Sequence, residues 1–181
     1  SLRRFEEIRS ISIENAVMPP LHFSPLVPGM EFDRVDGFFR SGGRSPVTRP
    51  SDLDDVAYWP VMDLAQLIES GQVRPSELTE MYISRIKRHN PALNCVVNLT
   101  ESRASMLAER ADAEIADGRY RGPLHGIPWG AKDIISARGY PTTWGAAPFE
   151  HQSFDVDATV VERLDEAGAI LVAKLTTGEL A

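Results

Sequence analysis

Three glycines (Gly122, Gly126, Gly130) and two prolines (Pro123, Pro128) crowd the start of the stretch GPLHGIPWGAKDIISARGYPTTWG, residues 122–145. Glycine permits positive φ and proline locks φ, so the backbone here is constrained by its own composition. The run from Ile127 to Ile135 then reads as a mostly apolar strand, interrupted only by Lys132 and Asp133. A lysine in that setting is expected to have its stem, and its amine, in the interior. Successive strand side chains point to opposite faces, so Lys132 and Asp133 are expected to be kept apart.

The chain on either side supplies helices and further strands. Residues 1–60 are rich in Pro and Gly, and Phe5, Ile11 and Ile13 suit at most a short strand or helix. The segment 40–46, RSGGRSP, reads as an exposed loop whose Arg40 and Arg44 are either solvated or an anion contact. We expect 1–60 to be an arm wrapping a larger body formed by 61–181. In that body Met62, Leu64, Ala65, Leu67 and Ile68 suit a short helix closed by Gly71.

A stronger helix is expected from Pro75, with Glu77 and Glu80 early and Lys87, Arg88 and His89 late, as the helix dipole favours. Leu78, Met81, Tyr82 and Ile86 form its apolar stripe, and Asn90-Pro91 is expected to end it. His89 reads as a cap on the helix end and the basic cluster Arg85, Lys87, Arg88 as solvated.

Asn94 to Leu99 has the β-branched core of a buried strand. Thr100 is placed to cap the next helix, which turns Ala104, Leu107, Ala108, Ala111 and Ile115 inward and stops at Gly118. Asp157 is placed to cap another helix, with Val160, Val161, Leu164 and Ala167 as its stripe and Gly168 at its end. Residues 169–173 make a last strand, ending on Lys174.

Strands alternating with helices predict an α/β fold with parallel pairs and right-handed crossovers. Three strands apolar on both sides imply a sheet covered on both faces, more than these helices can cover. We therefore expect an incomplete, N-terminal part of an α/β/α sandwich with a mixed, largely parallel sheet, its last strand presenting a bare edge.

The net charge of −7 argues against a broad nucleic-acid footprint, and no apolar run reaches the ~18 residues of a membrane span. The single cysteine, Cys95, forbids an intrachain disulfide and is expected to be a small buried filler. No His, Cys and carboxylate cluster has metal spacing and no phosphate loop is present, so neither metal nor cofactor is expected. A cytoplasmic location is expected; the chain begins with Ser, and a removed leader would leave no trace in it.

Lys132 admits two readings on chemical grounds. It either snorkels to the surface or pairs with a carboxylate, or its amine is held neutral as a general base. An unperturbed lysine amine has pKa ~10.4, so half-neutrality at pH 7 costs ~4.6 kcal/mol, which burial can supply. Lys174 also ends an apolar strand but lacks the glycine and proline frame, and is expected to have no site role. His125, in the turn GPLHGIP, is expected to be hydrogen-bonded and structural. Ser76, Ser84, Ser102, Ser105, Ser136 and Ser153 lack a nucleophile elbow.

The wording LHGIPWGAKD, then GYPTTWG, then DATVVERLDEAGAILVAKL, resembles the amidase signature family, serine amidases with a Ser–cis-Ser–Lys triad. The resemblance runs from about Val61 to Ala181 and is most specific over Gly122 to Gly145. It implies that Lys132 is the catalytic lysine. It also implies that both serines belong to a Gly/Ser-rich signature that these 181 residues lack, so the chain is expected to be a fragment, inactive alone. The implied function is hydrolysis of a carboxylic acid amide, with a small-molecule amide as substrate and a homo-oligomer among the expected assemblies. Two alternatives stand beside it: the glutaminase (A) component of a tRNA-dependent amidotransferase, and a non-catalytic binding fragment.

Overall fold

The computed structural model describes residues 2–14, 17 and 45–181. The chain divides into two compact units, Ser1–Gly43 and Arg44–Ala181. In the first, α1 (Leu2–Arg9) exposes all its side chains, and Ile11 and Ile13 are exposed outside any helix or strand. Arg40 and Arg44 of the expected loop lie outside the described residues.

The second unit begins before the boundary expected at residue 60. A single 3-10 turn, Leu53–Val56, opens where the Asp52 carboxylate accepts the Asp54 N–H at 2.9 Å, and it drives Val56 fully into the core. Upstream, Arg49 donates to the Gln72 carbonyl at 3.0 Å and to Glu77 at 3.1 Å. Next come α2 (Val61–Glu69), α3 (Pro75–Leu93), β1 (Val96–Leu99), α4 (Glu101–Ala116), β2 (Pro128–Lys132), α5 (Thr159–Glu166) and β3 (Ile170–Leu175). Each fully buried Leu or Ile, such as Leu67, Ile68 and Leu78, contributes roughly 1.5–3 kcal/mol relative to exposure.

The sheet is mixed, with order β1-β3-β2. β2 runs parallel to β3, with Pro128 opposite Ile170 and Lys132 opposite Leu175, as expected of a strand–helix–strand crossover through α5. β1 runs antiparallel to β3, with Val96 opposite Leu175, so the sheet is mixed, as expected. β3 is therefore the central strand and not a bare edge; among the described residues the open edges belong to β1 and β2. Centrality explains why β3 is buried almost throughout while β1 is only partly covered. The same edge position leaves Cys95 exposed, not buried as expected. Ile170 and Val172 pack with Leu107 and Ile83 of α4 and α3, whereas Leu171 packs with Val161 of α5. One helical layer thus covers each face of β3.

Several local expectations yield to longer-range bonds. α3 continues through Pro91 and ends on Asn94, which adopts φ 50°. Only Ala92 and Leu93 of the helix follow the proline, and the Asn90 amide grips both the N–H and the C=O of Val96, holding the reversal into β1. His89 accepts a bond from Arg88 and caps nothing. The basic cluster is not simply solvated: Arg85 and Arg88 reach Asp54 at 3.3 and 2.6 Å, and Lys87 reaches Glu101 at 2.7 Å.

Thr100 does not cap α4, because its hydroxyl donates to the Leu171 carbonyl at 2.7 Å. Asp157 does not cap α5, because it accepts both Arg103 nitrogens at 3.0 and 3.2 Å and the Arg138 N–H at 2.8 Å. Burial pushes Asp157 up, but Arg103 and Arg138 outweigh it and hold the carboxyl below its ordinary value. Arg103 also binds Asp165 of α5 at 2.6 Å, so one guanidinium joins α4, the α5 approach and α5 itself.

His125 carries the structural role expected of it. The Arg121 N–H donates to Nδ1 at 3.1 Å, which leaves the proton on Nε2, facing the Glu114 carboxylate at 3.3 Å. Tyr120 stacks on the ring, and a Cβ at Gly168 (φ 84°) would overlap it, so only glycine fits there. Burial, then the Arg121 charge, lowers the His125 pKa from its ordinary 6.5 despite Glu114. The Arg121 guanidinium in turn holds Glu114 below its ordinary 4.5.

The sign of the pH dependence follows. Both folded values lie below the unfolded ones, so both contributions are complete at higher pH and are lost on acidification. Denaturant unfolding of the chain should show stability falling first as pH drops below about 6.5. A second fall below about 4.5 belongs to Glu114. His125→Gln should remove the first step and leave the second; a first step of unchanged size in that variant would contradict the assignment.

Candidate active site

β2 ends at a point where two charges part. Lys132, its last residue, is exposed, and its amine has no hydrogen bond or ion pair with any described residue. This corrects the expectation of a buried amine. β2 is an edge strand, and Lys132 stands at its exposed end. Asp133 turns the other way, as strand alternation requires, and is fully buried.

The buried partner of Asp133 is Lys174, whose Nζ lies 2.9 Å from Oδ1. Lys174 is itself fully buried. Its ammonium also donates to the Pro141 carbonyl at 2.8 Å and to Thr142 Oγ1 at 2.9 Å, whereas Asp133 Oδ1 meets it as an ion-pair contact and has no hydrogen bond of its own. The second carboxylate oxygen, Oδ2, accepts from the Thr143 N–H at 3.1 Å and from its hydroxyl. The Asp133 backbone is pinned as well: its N–H donates to Leu175 O at 2.8 Å and its carbonyl accepts from Trp144 N–H at 3.1 Å.

This arrangement brings together the end of β2, the end of β3 and the 141–145 turn. A cavity of about 310 Å³ opens beside it, lined by Val97, Asp133, Thr143, Gly145, Glu150 and Thr176. Lys174, expected to have no site role, thus sits directly behind the Lys132 strand end. Sequence reasoning missed it because the partner of Asp133 lies 41 positions away; the available signal was one opposite charge in each of two apolar strands.

The remaining candidates stand elsewhere. The Ser136 hydroxyl donates to the Val156 carbonyl, and Ser76 bonds Asp112 through both its N–H and its hydroxyl. His125 belongs to the Glu114 and Arg121 cluster. Among the described residues no group of three or more His, Cys, Asp or Glu side chains is placed to hold a metal ion. What the strand end offers chemically is one amine with no carboxylate partner among the described residues, next to a carboxylate already paired with Lys174.

Comparison with known proteins places this geometry. The Amidase family model matches residues 77–181, more than half of the chain. The chain is 38% identical to the amidase AmiD of Mycobacterium bovis over 71% of its own length and 27% of that protein. It is 41% identical to the A component of the glutamyl-tRNA(Gln) amidotransferase of Nitrosomonas europaea, over 65% of its length and 24% of that protein. Among solved structures, the peptide amidase of Stenotrophomonas maltophilia superposes with a TM-score of 0.67 at 36% identity, over 71% of this chain and 26% of the other. The chain therefore spans about a quarter of the length of the relatives it matches. It belongs to the amidase signature family.

Proposed function

We propose that the protein carrying these residues hydrolyses a carboxylic acid amide through a serine acyl-enzyme, with Lys132 as general base. The observation that carries this reading is the parting of charges at the end of β2. Asp133 is engaged by Lys174, and the Lys132 amine meets no carboxylate among the described residues. A carboxylate beside an amine favours its charged form, which cannot accept a proton. Keeping the adjacent aspartate on the other face suits a lysine that must work neutral.

In the proposed reaction the Lys132 amine takes a proton relayed through a cis-serine from the nucleophilic serine. The serine oxygen bonds to the amide carbon, the C–N bond breaks, and the leaving nitrogen takes up a proton. Water then cleaves the ester and releases the acid. Backbone N–H groups stabilise the tetrahedral oxyanion. The resemblance assigns both serines to a Gly/Ser-rich signature with no counterpart in these 181 residues, so this chain supplies the base and its strand frame.

A second reading stays within the family. The 41% identity to the Nitrosomonas europaea protein supports an amidotransferase component that frees ammonia from glutamine for a partner. The long Pro/Gly-rich segment before residue 61 favours a stand-alone amidase. Glutaminase assays of the full-length protein, with and without partner proteins, separate the two.

Three outcomes test the proposal. In the full-length protein Lys132→Arg and Lys132→Met should both abolish acylation, with thermal midpoints close to the parent, because a guanidinium keeps its proton and a thioether has none to exchange. An active Lys132→Arg enzyme would remove Lys132 as the base. The 181-residue chain alone should not turn over simple aliphatic or aryl amides; turnover that Lys132→Ala abolishes would refute the missing-nucleophile reading. The isolated chain should also self-associate through the open edges of β1 and β2, seen as concentration-dependent mass in light scattering. A strictly monomeric sample with one sharp melt would count against that.

A further inference from the structure

We propose that Lys174 is a positioning residue for the base: it cancels the charge of Asp133, so that the carboxylate next to Lys132 in the chain does not hold a proton on the Lys132 amine. This inference rests on the general-base reading of Lys132.

Asp133 follows Lys132 directly, and no turn of the backbone can carry its carboxylate far from the amine's own strand end. Left alone, an anion there would favour the ammonium form of Lys132 and oppose its use as a base. Two features prevent this. Strand alternation sends the carboxylate to the opposite face, and Lys174 meets it at 2.9 Å in full burial, where charges are least screened.

The groups around the pair are few. β1 brings no ionisable side chain, and β3 brings only Lys174. On the loop after β2, Arg138 is turned to Asp155 at 3.5 Å, Tyr140 is partly buried, and Glu150 is exposed on the rim of the cavity. Every other polar contact of the pair is to a neutral group: the Pro141 carbonyl, the Thr142 and Thr143 hydroxyls and the Thr143 N–H. The Asp133 charge therefore has one direct counter-charge. The register supports the same role, since Ala131 lies opposite Lys174 and Lys132 opposite Leu175, which puts Lys174 behind the strand and Lys132 in front of it.

The pair also fixes geometry. Through Pro141, Thr142 and Thr143 it ties the turn after β2 to the end of β3, holding the backbone on the C-terminal side of Lys132. A purely structural pair would do this too, so the test must read charge and not only stability.

The test uses the full-length protein and the pH dependence of kcat/KM for a simple amide, with thermal midpoints beside it. Lys174→Met leaves an uncancelled carboxylate and should move the acid limb of the profile up by about one pH unit. Asp133→Asn keeps the Thr143 bonds, leaves an uncancelled ammonium, and should move the limb down by a similar amount. The double variant Asp133→Asn/Lys174→Met removes both charges, and its limb should return to the parent position. Opposite shifts that cancel in the double variant support the proposal.

Shifts in one direction, or activity losses with an unmoved limb, would overturn it and leave the pair structural. If a single variant does not fold, the double variant decides, because a buried pair removed together leaves no bare charge. A folded double variant with a displaced limb would also overturn the proposal. Lys132→Arg run alongside separates the two levels: an active Lys132→Arg enzyme defeats the base assignment itself, whereas an inactive one with unmoved limbs in the pair variants defeats only the role given to Lys174.

Discussion

A carboxylate and an ammonium with no exposed surface meet at 2.9 Å between Asp133 and Lys174, and much of the strand end depends on that contact. Burying either charge alone is costly: breaking such a pair by removing one partner typically costs about 3–5 kcal/mol. Around the pair, Lys174 donates to Pro141 and Thr142 and Asp133 Oδ2 accepts from Thr143, while Oδ1 relies on the ammonium charge alone. Those bonds fold the 141–145 turn back onto β3. Lys132 then stands at the end of a strand whose next residue is committed to Lys174.

The frame that carries β2 and β3 is held by two further polar clusters. His125, neutral and buried, takes its proton position from the Arg121 N–H and sits between Glu114 of α4 and the Gly168 turn before β3. Arg103 of α4 grips Asp157 and Asp165 on either side of the start of α5. Both clusters tie α4 to the α5–β3 connection across the sheet. The apolar contacts place one helical layer on each face of β3, and these polar ties set how the layers meet.

Membership of the amidase signature family fits this division of labour. The matched residues, 77–181, contain all but the first two residues of α3, the helices α4 and α5, and the three strands among the described residues. A fold shared with a family carries no chemistry by itself, because activity resides in a site built on it. The site proposed here is short: β2, its terminal lysine, and the buried pair behind it.

The sequence by itself determined the local features. The apolar stripe of Leu78 and Met81, the stop at Gly118, the crossover through α5 and the opposite facing of Lys132 and Asp133 all follow from periods of 3.6 and 2. The family resemblance was also legible there, in the motif around Lys132. Only the tertiary structure decided the strand order, because β1 pairs antiparallel with a strand more than 70 positions later, and no local period encodes that register. It also reassigned Thr100 and Asp157 from helix caps to long-range partners, since Leu171 and Arg103 compete for the same oxygens once the chain is folded. It exposed Lys132 and buried Lys174, because burial is set by position within the sheet: β2 lies at its edge and β3 at its centre.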